Sequence, residues 1–64
     1  MKAQLEFKSG EVIEGELGVG RDTMGLFYYQ FTSDCGRLVA SGLDFETKEQ
    51  VIQDFKRFGT IIEE

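Results

Sequence analysis

Sixty-four residues supply one domain and no second core. A hydrophobic fraction of 41% with interspersed charge excludes a disordered tail, and no apolar run approaches the roughly 18 residues of a membrane span. The net charge of −5 sets up a field that repels nucleic acid and anionic membranes and favours basic partners.

The N-terminal stretch MKAQLEFKSG alternates polar and apolar residues, unlike the continuous apolar segment of a signal peptide, so a cytoplasmic protein is expected. Ala3, Leu5 and Phe7 alternate with Gln4 and Glu6, which predicts a first strand. Residues 11–17, EVIEGEL, alternate again, and Ser9-Gly10 between the two runs signals a hairpin. A two-residue loop would set Leu5 opposite Glu14 and place an acid in the apolar row. A three-residue loop with Gly10 left-handed sets Phe7 by Ile13, Leu5 by Gly15 and Ala3 by Leu17, and the hydrophobic pattern selects it. In that register Glu6 lies opposite Glu14 and Gln4 opposite Glu16.

Residues 18–25, GVGRDTMG, carry three glycines and little periodicity, and read as a flexible connection. They have neither the GxGxxG spacing nor the GK[ST] ending of a phosphate loop. In the next stretch, GLFYYQFT (residues 25–32), alternation puts Phe27, Tyr29 and Phe31 on one face and Tyr28 on the other. Ser33-Asp34-Cys35-Gly36 reads as a turn and RLVASG as the returning strand. With those four residues as the loop, Phe31 faces Leu38, Tyr29 faces Ala40 and Phe27 faces Gly42, large rings against small residues. Tyr28, Gln30 and Thr32 then share the reverse face with Ser41, Val39 and Arg37.

The run DFETKEQVIQDFKRFG, residues 44–59, is the helix. Thr47 and Gln50 match a capping box, and Val51, Ile52, Phe55 and Phe58 form one apolar stripe. Lys56 and Arg57 sit where the helix dipole favours cations, and Gly59 is the expected stop. TII follows as a last short strand. The expected architecture is α+β: an antiparallel sheet of four strands, five with the last segment, and one C-terminal helix packed on one face. The helix stripe needs an apolar partner, and the row Phe27, Tyr29, Phe31 supplies it. That assigns the rings to the core rather than to a base-stacking platform, which would also need cations to hold phosphates.

The chain has no histidine, so Ser-His-Asp and Cys-His catalysis is excluded. One cysteine, Cys35, can neither form an internal disulfide nor build the usual zinc site. Glu14 and Glu16 share a strand face but look solvated, which denies them the raised pKa of a general acid. The expectation is a protein without catalytic activity, cofactor or metal. Glu6, Glu14 and Glu16, with Tyr28 and Val39 nearby, form the candidate partner-binding face: acids for steering, a ring for anchoring. The same acids also serve simply to keep a small sheet soluble.

Two stretches resemble known families. LEFKSGEVIEGELGVG is similar to the opening hairpin of the carbamoyl-phosphate synthetase small subunit. The amidotransferase domain of that enzyme has no counterpart here, so the likeness is one of hairpin grammar. GRLVASGLDFETKEQVIQDFKRFG, residues 36–59, resembles the strand-to-helix segment of a small phage-encoded type I anti-CRISPR protein. The likeness covers about a third of the chain, and that family has no common motif from which binding residues carry over. It implies a non-enzymatic inhibitor whose acidic surface docks on a basic nucleic-acid-binding site of a CRISPR effector complex in the host cytoplasm. The partner would be protein, with no direct nucleic acid and no membrane, and the chain a monomer or weak homodimer. The alternatives are a housekeeping interaction module or accessory subunit using the same face, and a minor enzyme or ligand carrier with a pocket at the glycine-rich loop.

Overall fold

The structure, a computed structural model, describes residues 1–63. Its elements in chain order are β1 (Lys2–Glu6), β2 (Val12–Arg21), β3 (Phe27–Ser33), β4 (Leu38–Phe45), α1 (Lys48–Phe55) and β5 (Gly59–Glu63). They form one five-stranded antiparallel sheet in the order β4-β3-β2-β1-β5, with the single helix on one face. The expected α+β architecture is therefore observed, with the fifth strand present. Strands β1 to β4 are a meander. The helix then carries the chain across the inner face, from the β4 edge to the β1 edge, where β5 adds. No helix among the described residues is long and apolar enough to cross a membrane.

Three turns of one kind join the four meander strands. In each, three residues are spanned by a backbone hydrogen bond from the residue before the loop to the residue after it. The loops are Lys8-Ser9-Gly10, Thr23-Met24-Gly25 and Asp34-Cys35-Gly36. Their closing bonds run from Phe7 N to Glu11 O (2.9 Å), Asp22 N to Leu26 O (2.8 Å) and Ser33 N to Arg37 O (2.8 Å). The third residue of every loop is a glycine at positive φ: 91°, 85° and 88° respectively. This is a type I turn followed by a left-handed residue, the usual three-residue hairpin.

Glycine's place in the loop corrects two expected registers. In the first hairpin a three-residue loop is present with Gly10 left-handed, but the pairing is Leu5 with Ile13, Ala3 with Gly15 and Glu6 with Val12. The expected register would have put Glu11 third in the loop, where a side chain is strained, so the turn shifts the pairing by two residues. Phe7, expected beside Ile13, sits at the hairpin exit and is 43% exposed. In the third hairpin the loop is three residues rather than four, and together with an extra residue at Val39 this sets Phe31 against Ala40 and Tyr29 against Gly42. For these two rings a large residue does oppose a small one, two positions along from the expected pair, but Phe27, expected at Gly42, meets Phe45 instead. A bulge at Val39 then turns Leu38 to Thr32 on the outer face, where it is 57% exposed instead of covering Phe31.

The glycine-rich segment is also corrected. Residues 18–21 continue β2 against β3 and only 23–25 make the turn, with the Asp22 carboxylate accepting from Met24 N and Leu26 N at 2.9 Å each. That bracing replaces the expected flexible loop. β2 thus serves two partners in succession: residues 12–16 pair with β1 and residues 15–21 with β3.

Inside, Ala3, Leu5, Leu17, Tyr29, Phe31, Val51 and Phe55 are buried as one cluster. Thr47 caps the helix by accepting from Gln50 N at 3.2 Å, and the Gln50 side chain accepts in turn from Glu46 N at 2.9 Å. Only two of the expected stripe residues, Val51 and Phe55, are fully buried, and Ile52 is half-buried. The helix stops at Phe55, four residues before the glycine expected to end it. Arg57 N and Phe58 N bond to Asp54 O and Phe55 O at 3.2 and 3.1 Å, three residues back, tightening the exit. Phe58 leaves the stripe and is 40% exposed.

Two stability outcomes follow. Gly10→Ala and Gly36→Ala should each cost roughly 1–2 kcal/mol in urea melts from left-handed strain. Neither glycine has a neighbour within 4 Å of a would-be Cβ, so the loss reports backbone alone. Phe31→Ala should cost about 3–5 kcal/mol by removing a fully buried ring, while Tyr28→Ala on the opposite face should cost far less.

Candidate protein-docking face

The helix lies on the face carrying Tyr29 and Phe31, which leaves the other face of the sheet bare. Its residues come from alternate positions: Lys2, Gln4 and Glu6 on β1, Val12, Glu14, Glu16, Gly18 and Gly20 on β2, and Tyr28, Gln30 and Thr32 on β3. Glu6, Glu14 and Glu16 are all exposed there. They are not paired with one another across the strands, as the sequence led us to expect. Glu6 faces Val12, Glu14 faces Gln4 and Glu16 faces Lys2. The like-charge repulsion that a Glu6–Glu14 pair would carry is therefore absent. Glu16 is further engaged by the N-terminal ammonium of Met1, 3.1 Å from its carboxylate, so its charge is partly neutralised.

Tyr28 stands on this face, half-buried, opposite Gly20. Its ring lies so close over Gly20 that any Cβ there would collide with it. The absent side chain is what lets the ring lie down on the sheet. Val39 is the exception among the expected site residues. It sits at the β4 bulge and packs, half-buried, against the core cluster, so it is withdrawn from the acids. In its place the outer side of β4 offers Leu38 and Leu43, 57% and 71% exposed. Alternation places Leu38 inward, because the bulge at Val39 inverts the pattern there, and Leu43 lies beyond the RLVASG run read as the returning strand.

The face is therefore zoned. Acids occupy the β1–β2 end, and Tyr28 with the two leucines occupies the β3–β4 end. Tyr29, one residue from Tyr28, belongs to the opposite side: burial pushes its hydroxyl pKa up, and the neighbouring Asp54 adds to the effect.

Cys35 is exposed at the tip of the third hairpin. Its thiol is held below the usual range chiefly by a hydrogen bond from the Ser33 hydroxyl, 3.1 Å from the sulfur, with the Arg37 N–H adding to it. The charge of Arg37, the cation nearest in sequence, is a minor cause. Alkylation by iodoacetamide should therefore reach half its maximal rate at lower pH than for an unstructured cysteine peptide. Ser33→Ala should move that midpoint back up, and an unchanged midpoint would remove the hydroxyl from the account.

Comparison of the chain with family models, curated proteins and solved structures finds no match.

Proposed function

We propose that this chain is a non-enzymatic protein-binding module that docks the bare face of its sheet on a basic surface of a partner protein. The observation that carries the reading is the uncovered face itself, with Glu6 and Glu14 exposed at one end and Tyr28 and two leucines at the other. Acids held by paired strands approach a partner with little ordering entropy left to lose, and they speed encounter through steering. The ring and the leucines supply the apolar contact that slows dissociation. Glu6 and Glu14 carry the steering, since Glu16 is shared with the Met1 ammonium.

The likeness of residues 36–59 to an anti-CRISPR segment suggests one such surface, the nucleic-acid-binding site of a type I CRISPR effector complex. On that reading the chain is a phage-type inhibitor that competes with guide or target nucleic acid.

The test is interferometry of the chain against a purified type I effector complex across a salt series. Binding should weaken as salt rises and should be displaced by target DNA. A Glu6→Lys/Glu14→Lys variant should lose binding while its circular dichroism is unchanged, because both side chains are exposed. Tyr28→Ala should chiefly raise the dissociation rate. No binding to the effector complex would remove the anti-CRISPR reading alone, and a partner captured from the native cell would then take its place in the same series. Binding indifferent to salt, with an active charge-reversed variant, would remove the acidic face.

A further inference from the structure

At the end of the molecule where β1 stops and β5 starts, the first hairpin and the turn after α1 face each other across a notch of about 480 Å³. Phe7 and Lys8 line one side, and Lys56, Arg57 and Phe58 line the other. Three of the chain's seven cations thus gather at one place in a protein of net charge −5. Lys8 and Lys56 have no ion-pair partner among the described residues. Arg57 has one contact, to Asp54 at 3.5 Å, and its side chain remains 79% exposed. The two phenylalanines are 43% and 40% exposed, large rings that the core leaves uncovered.

Both walls are fixed. The turn bonds Phe7 N–Glu11 O and Gly10 N–Phe7 O hold the first, at 2.9 Å each. The second is tied to the sheet by Glu6 N donating to Phe58 O at 3.2 Å, and the Phe58 ring rests on Phe55 with centroids 5.6 Å apart. Cations and apolar rings therefore converge on a preformed concavity of the size that ligands occupy.

We propose that this notch is a second binding site, for an acidic peptide segment of a protein partner that also carries apolar side chains. Its carboxylates meet Lys8, Lys56 and Arg57, and an apolar side chain seats between Phe7 and Phe58. The chemistry favours this occupant over a nucleic-acid strand. Glu6 also lines the notch, and the molecule's overall field opposes a dense polyanion. A strand of nucleic acid needs a continuous basic track, whereas spaced carboxylates need only this local cluster. The notch adjoins the acidic face and shares Glu6 with it, but its cations and rings, Lys8, Lys56, Arg57, Phe7 and Phe58, take no part in that face.

The test uses amide chemical-shift mapping with three probes: a short peptide alternating Asp with Leu and Phe, the same peptide with Ser in place of Leu and Phe, and oligothymidylate of matching length. The first should shift the amides of Phe7, Lys8 and residues 56–60 to saturation and bind most tightly. A Lys8→Glu/Lys56→Glu variant, changed at exposed positions only, should weaken it by about tenfold or more. Phe7→Ser should weaken the Leu/Phe peptide and leave the Ser peptide unaffected. No saturable shift at the notch, equal binding of the Ser peptide, or tighter binding of oligothymidylate would each overturn the proposal.

Discussion

A residue with a side chain loses about 1–2 kcal/mol in the left-handed region, and glycine does not. Three times in this chain that asymmetry decides where the backbone reverses. Gly10, Gly25 and Gly36 each take the third place of a three-residue loop. Once the turn is placed, the pairs along the two strands follow from it as far as the next bulge, and so does the identity of the residues facing the helix there. Shifting any one turn by a residue would move its strand's apolar set to the solvent side. The core and much of the bare face therefore depend on where three glycines stand.

The helix has a different task. It spans eight residues, too few to be stable alone, and it offers the sheet two fully buried side chains. Phe55 does most of the joining. Its ring lies 5.5 Å from that of Phe31, 6.1 Å from that of Tyr29 and 5.6 Å from that of Phe58. It also lies against Gly59, where a Cβ would come within 2.7 Å of the ring. One aromatic thus ties β3, near one edge, to the start of β5 at the other. The early end of the helix follows from this arrangement: the chain must turn at 56–58 to bring β5 beside β1, and that turn exposes Phe58 and the cations around it.

Much of this was legible in the residues. The alternation of AQLEF and EVIEGEL, the cap at Thr47 and the assignment of Tyr29 and Phe31 to the core and Tyr28 to the outer face all reflect local periodicity, which the fold respects. What was not legible depended on counting from the turn. Hydrophobic matching favoured Phe7 beside Ile13, but that register puts Glu11 rather than a glycine at the left-handed third place of the loop. The triplets KSG, TMG and DCG carry that information once glycine is read as the last loop residue rather than as a sign of flexibility. The bulges in β4, and with them the withdrawal of Val39 and the exposure of Leu38, have no local sequence signal. The notch at Lys8 and Lys56 was hidden for another reason: its two walls are nearly fifty residues apart in the chain.

The divided loyalty of β2 leaves a trace in how its backbone meets water. Beyond Leu17, whose N–H donates to Met1 O at 2.7 Å, no strand among the described residues lies on the β1 side. Along an antiparallel strand successive N–H groups point to alternate neighbours. Since Asp22 N bonds to Leu26 O, the even-numbered amides of β2 face β3, and those of Val19 and Arg21 face outward. Deuterium should therefore enter at Val19 and Arg21 long before it enters at Gly18 and Gly20. A strand that looks uniform in its pairing to β3 thus has one protected side and one side open to solvent, over its last four residues.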